Sequence, residues 1–222
     1  MKHNVIIAVV AILLPLTALL AQETSKKFTG SITYRITYPS ASSNPMIASL
    51  PTTLTMQIAG NKAKTEFMLP FGNNMLIING DDNSIIRLVD LESGKYFVKK
   101  TKADFTQPTS PMLVPLKETK KVAGQNSKAI EVNLTDRAGK TTKNKVFYSD
   151  ELGSNNIYFN TSLQSVKGIM LEFEYVLMGI PVQLSAISVE PGRISNKTFE
   201  IPSGYTETTE AKLREMRGPI KK

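Results

Sequence analysis

Apolar and polar residues alternate along most of the chain, which is the pattern of half-buried β-strands. In the segment 28–38, the even positions are Gly or large apolar and aromatic residues, and the odd positions are polar. A period of two recurs along the chain, interrupted by short turn sequences. We predict strands at 28–38, 54–58, 63–67, 75–78, 85–89, 96–98, 117–122, 128–135, 142–148, 169–177 and 182–186, and expect 199–205 to close the sheet.

Tight turns define the expected register of two hairpins. The segment 59–62, Ala-Gly-Asn-Lys, has Gly at the first central position, as a type II′ turn prefers. The pairs predicted from it are Ile58 with Ala63, Met56 with Thr65 and Leu54 with Phe67. The segment 178–181, Met-Gly-Ile-Pro, is interpreted in the same way. It predicts pairing of Leu177 with Val182, Tyr175 with Leu184 and Phe173 with Ala186. In the third hairpin, we expect Ile130 to lie opposite Val146 and Glu131 opposite Lys145.

The strands at 75–78 and 85–89 are apolar at successive positions, so we expect both of their faces to be covered. The turn at 79–83 joins them. The segment 150–167 is irregular, with room for a short helix near 162–166. The best helix is 208–217, with Leu213 and Met216 three residues apart. The pattern predicts a mainly β protein with one strongly curved antiparallel sheet, an open half-barrel of about ten or eleven strands.

Residues 1–21 have the features of a cleaved signal peptide. A basic start precedes ten apolar residues at 5–14, and small residues follow before Gln22. Ten residues rise only about 15 Å as a helix, against a hydrocarbon core of roughly 30 Å. An uncleaved N-terminal anchor is the alternative. We expect residues 22–222 to form a single domain in a Gram-negative periplasm, with no lipid anchor because no Cys follows the signal; an extracellular location is left open.

The chain lacks the residues that many catalytic and metal sites need. It has no Cys and no Trp among 222 residues, and its one His is His3, within the predicted signal. A Ser-His-Asp triad, a thiol nucleophile and the common zinc, copper and iron–sulfur sites are therefore excluded from the mature chain. We predict no cofactor, no metal and no catalytic residues.

The chain carries 27 Lys and Arg against 19 Asp and Glu, a net charge of +8. Its lysine clusters are Lys26-Lys27, Lys99-Lys100-Lys102, Lys117-Lys120-Lys121, Lys140-Lys143-Lys145 and Lys221-Lys222. These could contact a membrane surface or an acidic envelope protein, or could simply keep strand edges soluble. Nucleic acid is not expected as a partner of an exported protein, and the oligomeric state is left open.

Three weaker patterns could carry chemistry. Glu172 and Glu174 share one face of a strand and could act as an acid and base pair, but they lie opposite its apolar face. The segment 81–83, Asp-Asp-Asn, could hold a hard cation, but it lacks the ligand spacing of a calcium loop and favours a turn. Ser127 and Lys128 could form a dyad, although their setting is typical of a loop.

Four stretches, in this order, resemble a family of secreted bacterial proteins of unknown function that is classed with the lipoprotein-carrier (LolA-like) fold. They are 28–34 (FTGSITY), 120–124 (KKVAG), 146–153 (VFYSDELG) and 199–205 (FEIPSGY). The resemblance covers roughly residues 28–205. It implies an open half-barrel whose concave apolar face receives acyl chains in carrier proteins. Such families often have a Cys after the central Gly, where this chain has Asn126-Ser127, so no thiol has a role here.

Three functions are considered. The first is a non-enzymatic binding protein that holds a lipid, lipopeptide or other apolar ligand on the concave face. Its expected lining residues are Leu76, Ile78, Phe97, Phe147, Phe173 and Tyr175, with the segment 112–114 as a lid. The second is an envelope protein with a packed core that docks a protein partner, and the third is a carboxylate-dependent hydrolase. A concave pocket distinguishes the first, and glutamates turned into a cleft distinguish the third.

Overall fold

The computed structural model describes residues 27–39, 45–69, 72–105, 110–135, 139–177 and 180–217. The predicted signal at 1–21 and the turn residues 178–179 lie outside this part of the chain. The described chain contains twelve strands and one α-helix. Their bounds are β1 Thr29–Thr37, β2 Thr53–Ala59, β3 Lys62–Leu69, β4 Gly72–Asn79, β5 Ser84–Leu91, β6 Gly94–Lys100, β7 Met112–Val122, β8 Gln125–Thr135, β9 Thr141–Ser149, β10 Ile169–Leu177, β11 Ile180–Pro191, β12 Thr206–Glu207 and α1 Glu210–Arg217. Short 3-10 helices lie at Pro45–Ser49, Lys102–Asp104, Asn156–Tyr158 and Asn196–Phe199.

All twelve strands belong to one open sheet, in the order β12-β6-β5-β4-β3-β2-β1-β11-β10-β9-β8-β7. Strands β1 to β6 form one meander and β7 to β11 form another. The antiparallel pair β1 and β11 joins the two meanders. Only the two-residue strand β12 runs parallel to its neighbour, β6. The mainly β class and the single large antiparallel sheet are therefore confirmed, with more strands than predicted.

The first hairpin forms as its turn sequence predicts. Ile58 pairs with Ala63 and Met56 with Thr65. Gly60 has a φ of +62°, the left-handed value that the first central position of this turn requires. Along β1, the even residues from 28 to 36 are buried, which places one face of this strand in the core. The predicted pairs of Ile130 with Val146 and Glu131 with Lys145 are also present.

The predicted register of the second hairpin is wrong by two residues. Leu177 pairs with Ile180 and Tyr175 with Val182, so the connecting residues are 178 and 179. A shift of two leaves every side chain on its predicted face, since the period of a strand is two. The apolar pattern therefore could not distinguish these registers.

The segment 112–114 is not a lid. It begins the edge strand β7, in which Leu113 pairs with Val132 and Val114 with Glu131. The prolines around it do not prevent pairing, because Pro115 stands at an edge strand next to an irregularity that separates it from Thr119. The short helix predicted at 162–166 is also absent, and only turns occur there.

The sheet curves so that one face encloses the core. We call this the inner face; it carries Ile32, Tyr34, Met56 and Phe173, all of which are buried. Irregularities interrupt the pairing of β1, β7 and β10, and such bulges bend and twist strands. The half-barrel-like open sheet follows from this curvature.

The C-terminal segment wraps around the β6 edge. On the outer face, Phe199, Ile201 and Tyr205 pack against a cluster that contains Leu88. After β12, Leu213 of α1 packs on the opposite face of β5 and β6. Both faces of this part of the sheet are thus covered, as the apolar runs predict. The expectation that 199–205 closes the sheet as a strand is wrong, because this segment lies across the outer face instead.

The helix is confirmed as a short C-terminal element, beginning at Glu210 rather than 208. Leu213 is buried as expected, whereas Met216 is 42% exposed. A helix of eight residues makes just over two turns. Among its described side chains, Leu213 is the one that is buried against the sheet.

Candidate functional site

A cavity of about 250 Å³ lies against the inner face. Strands β2 to β5 supply one wall, β10 and β11 supply the facing wall, and the connection at 157–163 closes one end. Most of its lining is apolar. It is far larger than the ~10–15 Å³ that one water molecule needs, and it approaches the ~300–1,000 Å³ of pockets for drug-sized ligands.

Four of the six predicted lining residues meet in this cavity. Leu76 and Ile78 come from β4, and Phe173 and Tyr175 come from β10. These strands belong to different meanders and are brought together by the curvature of the sheet. The strand periodicity placed each pair on a single face, but it could not show that the two faces oppose each other.

The other two predicted residues lie elsewhere. Phe97 packs on the outer face with the cluster around Leu88 and Phe199. Phe147 pairs with Glu172, an outer-face residue, and lies beneath the Lys120 ammonium group, which is 3.8 Å from its ring centre. Both rings are covered without contacting the cavity. Phe97 and Phe147 therefore lie outside this cavity. The sequence pattern could not show this, because an aromatic residue on a strand that is covered on both sides can point to either face.

The connection at 157–163 is the part of the site that sequence patterns missed. Its anchors are two asparagines that bind the turns between neighbouring strands. The Asn156 side chain donates to Gly80 O at 2.7 Å, and its backbone N–H donates to Asn61 Oδ1 at 3.0 Å. The Asn155 side chain donates to Gly60 O. Asn pairs are common in loops, so they gave no specific signal.

Two buried tyrosines support the closed end of the cavity. Tyr34 Oη donates to Met170 O at 2.8 Å, and the Met170 N–H donates to Tyr158 Oη at 3.3 Å. Burial raises the pKa of both phenols well above the usual value, and the proximity of Tyr158 raises the pKa of Tyr34 further. Both hydroxyls therefore stay protonated at neutral pH, and the end of the cavity is uncharged.

The raised pKa values predict a loss of stability in alkali. Above pH ~10 an unfolded tyrosine releases its proton while the folded one retains it, so the folded state binds more protons and stability falls as pH rises. The expected slope for each tyrosine is about 0.7 kcal/mol per pH unit at pH ~10, and it approaches about 1.4 kcal/mol per pH unit above pH ~11. Urea unfolding of the wild type and Tyr158→Phe between pH 9 and 11 measures it. The variant should show the shallower decline, and equal declines would contradict the assignment.

One wall of the cavity is partly polar. Thr65, Asn74 and Arg87 lie on neighbouring strands of this wall and contact the cavity. Arg87 Nη2 donates to Glu210 of α1, while Arg87 Nε is buried without a partner. The helix is thus joined to the cavity wall through an ion pair.

The two glutamates considered for acid and base catalysis do not enter the cavity. Glu172 binds Lys120 on the outer face, with the ammonium nitrogen 2.9 Å from both carboxylate oxygens, and it pairs with Ser185 in the adjacent strand. Glu174 is on the same face, opposite Gln183. The cleft that would distinguish a carboxylate-dependent hydrolase is therefore not built around these residues.

The remaining motifs have structural roles. Asp82 Oδ1 accepts hydrogen bonds from the backbone and hydroxyl of Ser84, which confirms that 81–83 is a turn. The Ser127 hydroxyl donates to Lys120 O at 2.8 Å, and Lys128 forms an ion pair with Asp150. Within the described ranges, no group of three or more His, Cys, Asp or Glu side chains is arranged to hold a metal ion.

Several lysines of the predicted clusters are paired with carboxylates. Lys145 Nζ lies 2.9 Å from Glu118, and Lys143 Nζ lies 3.3 Å from Glu131. Together with Lys120 and Glu172, they form a surface of mixed charge on the outer face. The carboxylates of these ion pairs weaken the positive potential of this surface. Charged side chains of this kind are typical of solvent-exposed strands near the edge of a sheet.

Comparison with known proteins does not assign a family. No protein-family model matches the chain, and no curated protein matches it significantly. The likeness to the LolA-like fold remains a prediction. In the part of the chain that the structure describes, no helix has the length and apolarity needed to cross a membrane.

Proposed function

We propose that this protein is an exported, non-enzymatic binding protein that holds the apolar chain of a lipid or lipopeptide in the cavity of its curved sheet. The observation that carries the proposal is the cavity itself, since a module that only docks a partner can have a fully packed core. The LolA-like resemblance points to the same class of ligand.

The chemistry of the lining supports an alkyl ligand. Leu54, Met56 and Leu184 contact the cavity alongside Phe173 and Leu76, and they come from strands of both meanders. An alkyl chain that binds in the cavity transfers its apolar surface from water to contact with these side chains. Each buried methylene contributes about 0.8 kcal/mol, so four of them supply about 3 kcal/mol.

The volume favours one chain rather than several. A cavity of about 250 Å³ is small for a ligand with two or three long acyl chains. At one end of the cavity, Tyr175 and Val176 are 36% and 60% exposed, next to the end of β10. We assign the entrance to this end, since the connection at 157–163 closes the other.

A side chain that fills the cavity should abolish binding. Leu76 contacts the cavity and is only half-buried, so Leu76→Trp places an indole ring where the ligand would lie. We expect at least roughly a tenfold loss of affinity for a fluorescent fatty acid, with the fold retained. The same variant, purified after export, should carry less co-purified lipid by native mass spectrometry.

Ile187→Trp is the matched control. Ile187 is 45% exposed on β11 and lies outside the cavity lining, so the same ring should leave binding unchanged. If the wild type neither carries lipid nor binds the probe, the proposed function is wrong. Equal loss in both variants would also contradict it, because the effect would not depend on the cavity.

A further inference from the structure

Arg87 is the single charged side chain among the described residues that line the cavity, and no carboxylate lines it. It lies near the middle of β5, opposite Leu76 of β4. Asn74 lies two residues from Leu76 on the same strand, so it is a diagonal neighbour of Arg87 on the inner face. If the cavity bound only alkyl chains, an apolar residue would be expected at position 87, because its side chain lines the cavity.

Not all hydrogen-bond donors of the Arg87 guanidinium group have partners. A guanidinium has five N–H donors in a planar fork, and Nη2 of Arg87 is used by Glu210. Nε is buried and has no hydrogen-bond partner. A planar anion suits the remaining donors, because the fork matches the geometry of a carboxylate.

The charges around Arg87 leave a positive excess. Lys100 Nζ lies 3.7 Å from the second oxygen of Glu210, so two cations share one carboxylate. A second carboxylate would balance this cluster. A cationic head group would meet Arg87 without any acidic partner in the lining, and a neutral one would leave the excess charge uncompensated.

We propose that the ligand is a single-chain carboxylate of the fatty-acid class, with its head group bound by Arg87 and its chain in the apolar part of the cavity. This inference rests on the proposed function and specifies its ligand. Glu210 is then a built-in competitor, because it occupies one donor of the group that receives the ligand.

Isothermal titration calorimetry with decanoate and decanol tests the inference, because the two probes share a chain and differ in the head group. At pH 8, the wild type should bind decanoate roughly tenfold more tightly than decanol. Arg87→Met keeps an unbranched apolar stem and should reduce this preference to less than about twofold. Arg87→Lys should restore part of the preference, since it restores the charge.

Glu210→Gln provides the complementary measurement. Removal of the competing charge should raise the affinity for decanoate severalfold and leave decanol unchanged. Equal binding of both probes to the wild type, an undiminished preference in Arg87→Met, or no response to Glu210→Gln would overturn the role of Arg87. If neither probe binds the wild type, the proposed function itself fails. Should Arg87→Met not fold, the Glu210→Gln and Arg87→Lys titrations still decide the question.

Discussion

Gly30→Ala is expected to destabilise the protein by roughly 3–5 kcal/mol, a large fraction of the ~5–15 kcal/mol that stabilises a typical domain. Gly30 has a φ of +152°, which residues with a side chain rarely adopt. A Cβ atom here would lie 2.3 Å from Glu190 O and 2.9 Å from Pro191 Cα. Both are backbone atoms of the paired strand β11, so neither can move without breaking the ladder. Urea unfolding followed by circular dichroism measures the loss.

Gly192→Ala is the matched control for this substitution. Gly192 lies just beyond β11, and a Cβ atom there would meet nothing within 4 Å. Its backbone N–H donates to Thr29 O at 3.1 Å, a bond that alanine keeps. We expect a change within about 0.5 kcal/mol. If the two variants were equally stable, the close approach of β1 to β11 would not exist in solution.

Tyr34→Ala is expected to cost about 3–5 kcal/mol, because it empties the centre of the core. The side chain has no exposed surface, and its ring meets Phe173 edge-on with 5.9 Å between the ring centres. Its hydroxyl also donates to Met170 O. The alanine variant loses the ring and leaves this carbonyl without its partner. Chemical denaturation at pH 7 gives the free energy of unfolding.

Tyr34→Phe separates the two contributions. It keeps the ring and removes only the hydroxyl, so we expect a loss of about 1–3 kcal/mol. The order of stability should be wild type, Phe variant, Ala variant. If the Phe and Ala variants were equally unstable, the hydrogen bond to Met170 rather than the ring would account for the effect.

Agreement between a turn sequence and an apolar face was sufficient for the first hairpin, but it left the second hairpin two residues out of register. In the hairpin at 59–62, Gly60 selects the turn, and Ile58 and Ala63 then share a buried face. The inner face of β1 was predicted from its alternating apolar and polar residues alone. Each of these conclusions depends on residues that are close together in the chain.

The site was less predictable because it depends on contacts between distant strands. Phe97 and Phe147 are as apolar as Phe173, yet only Phe173 faces the cavity. The position of Arg87 in the cavity lining has no signal in the sequence, since a single arginine within an apolar strand is equally consistent with a surface position. Its pairing with Glu210 spans 123 positions and has no local signal.

The antiparallel ladder between β1 and β11 has a consequence for how the chain folds. Most neighbouring strands within each meander are joined by two to five residues, and such hairpins form quickly. Strands β1 and β11, in contrast, are separated by most of the described chain. Closing that long loop carries an entropic cost before any contact offsets it, so it is the expected slow step. Strands β2 to β5 come from one meander and β10 and β11 from the other, and therefore the cavity forms only after this closure. A ligand would recognise only the completed sheet, and it would prolong the lifetime of the native state without accelerating its formation.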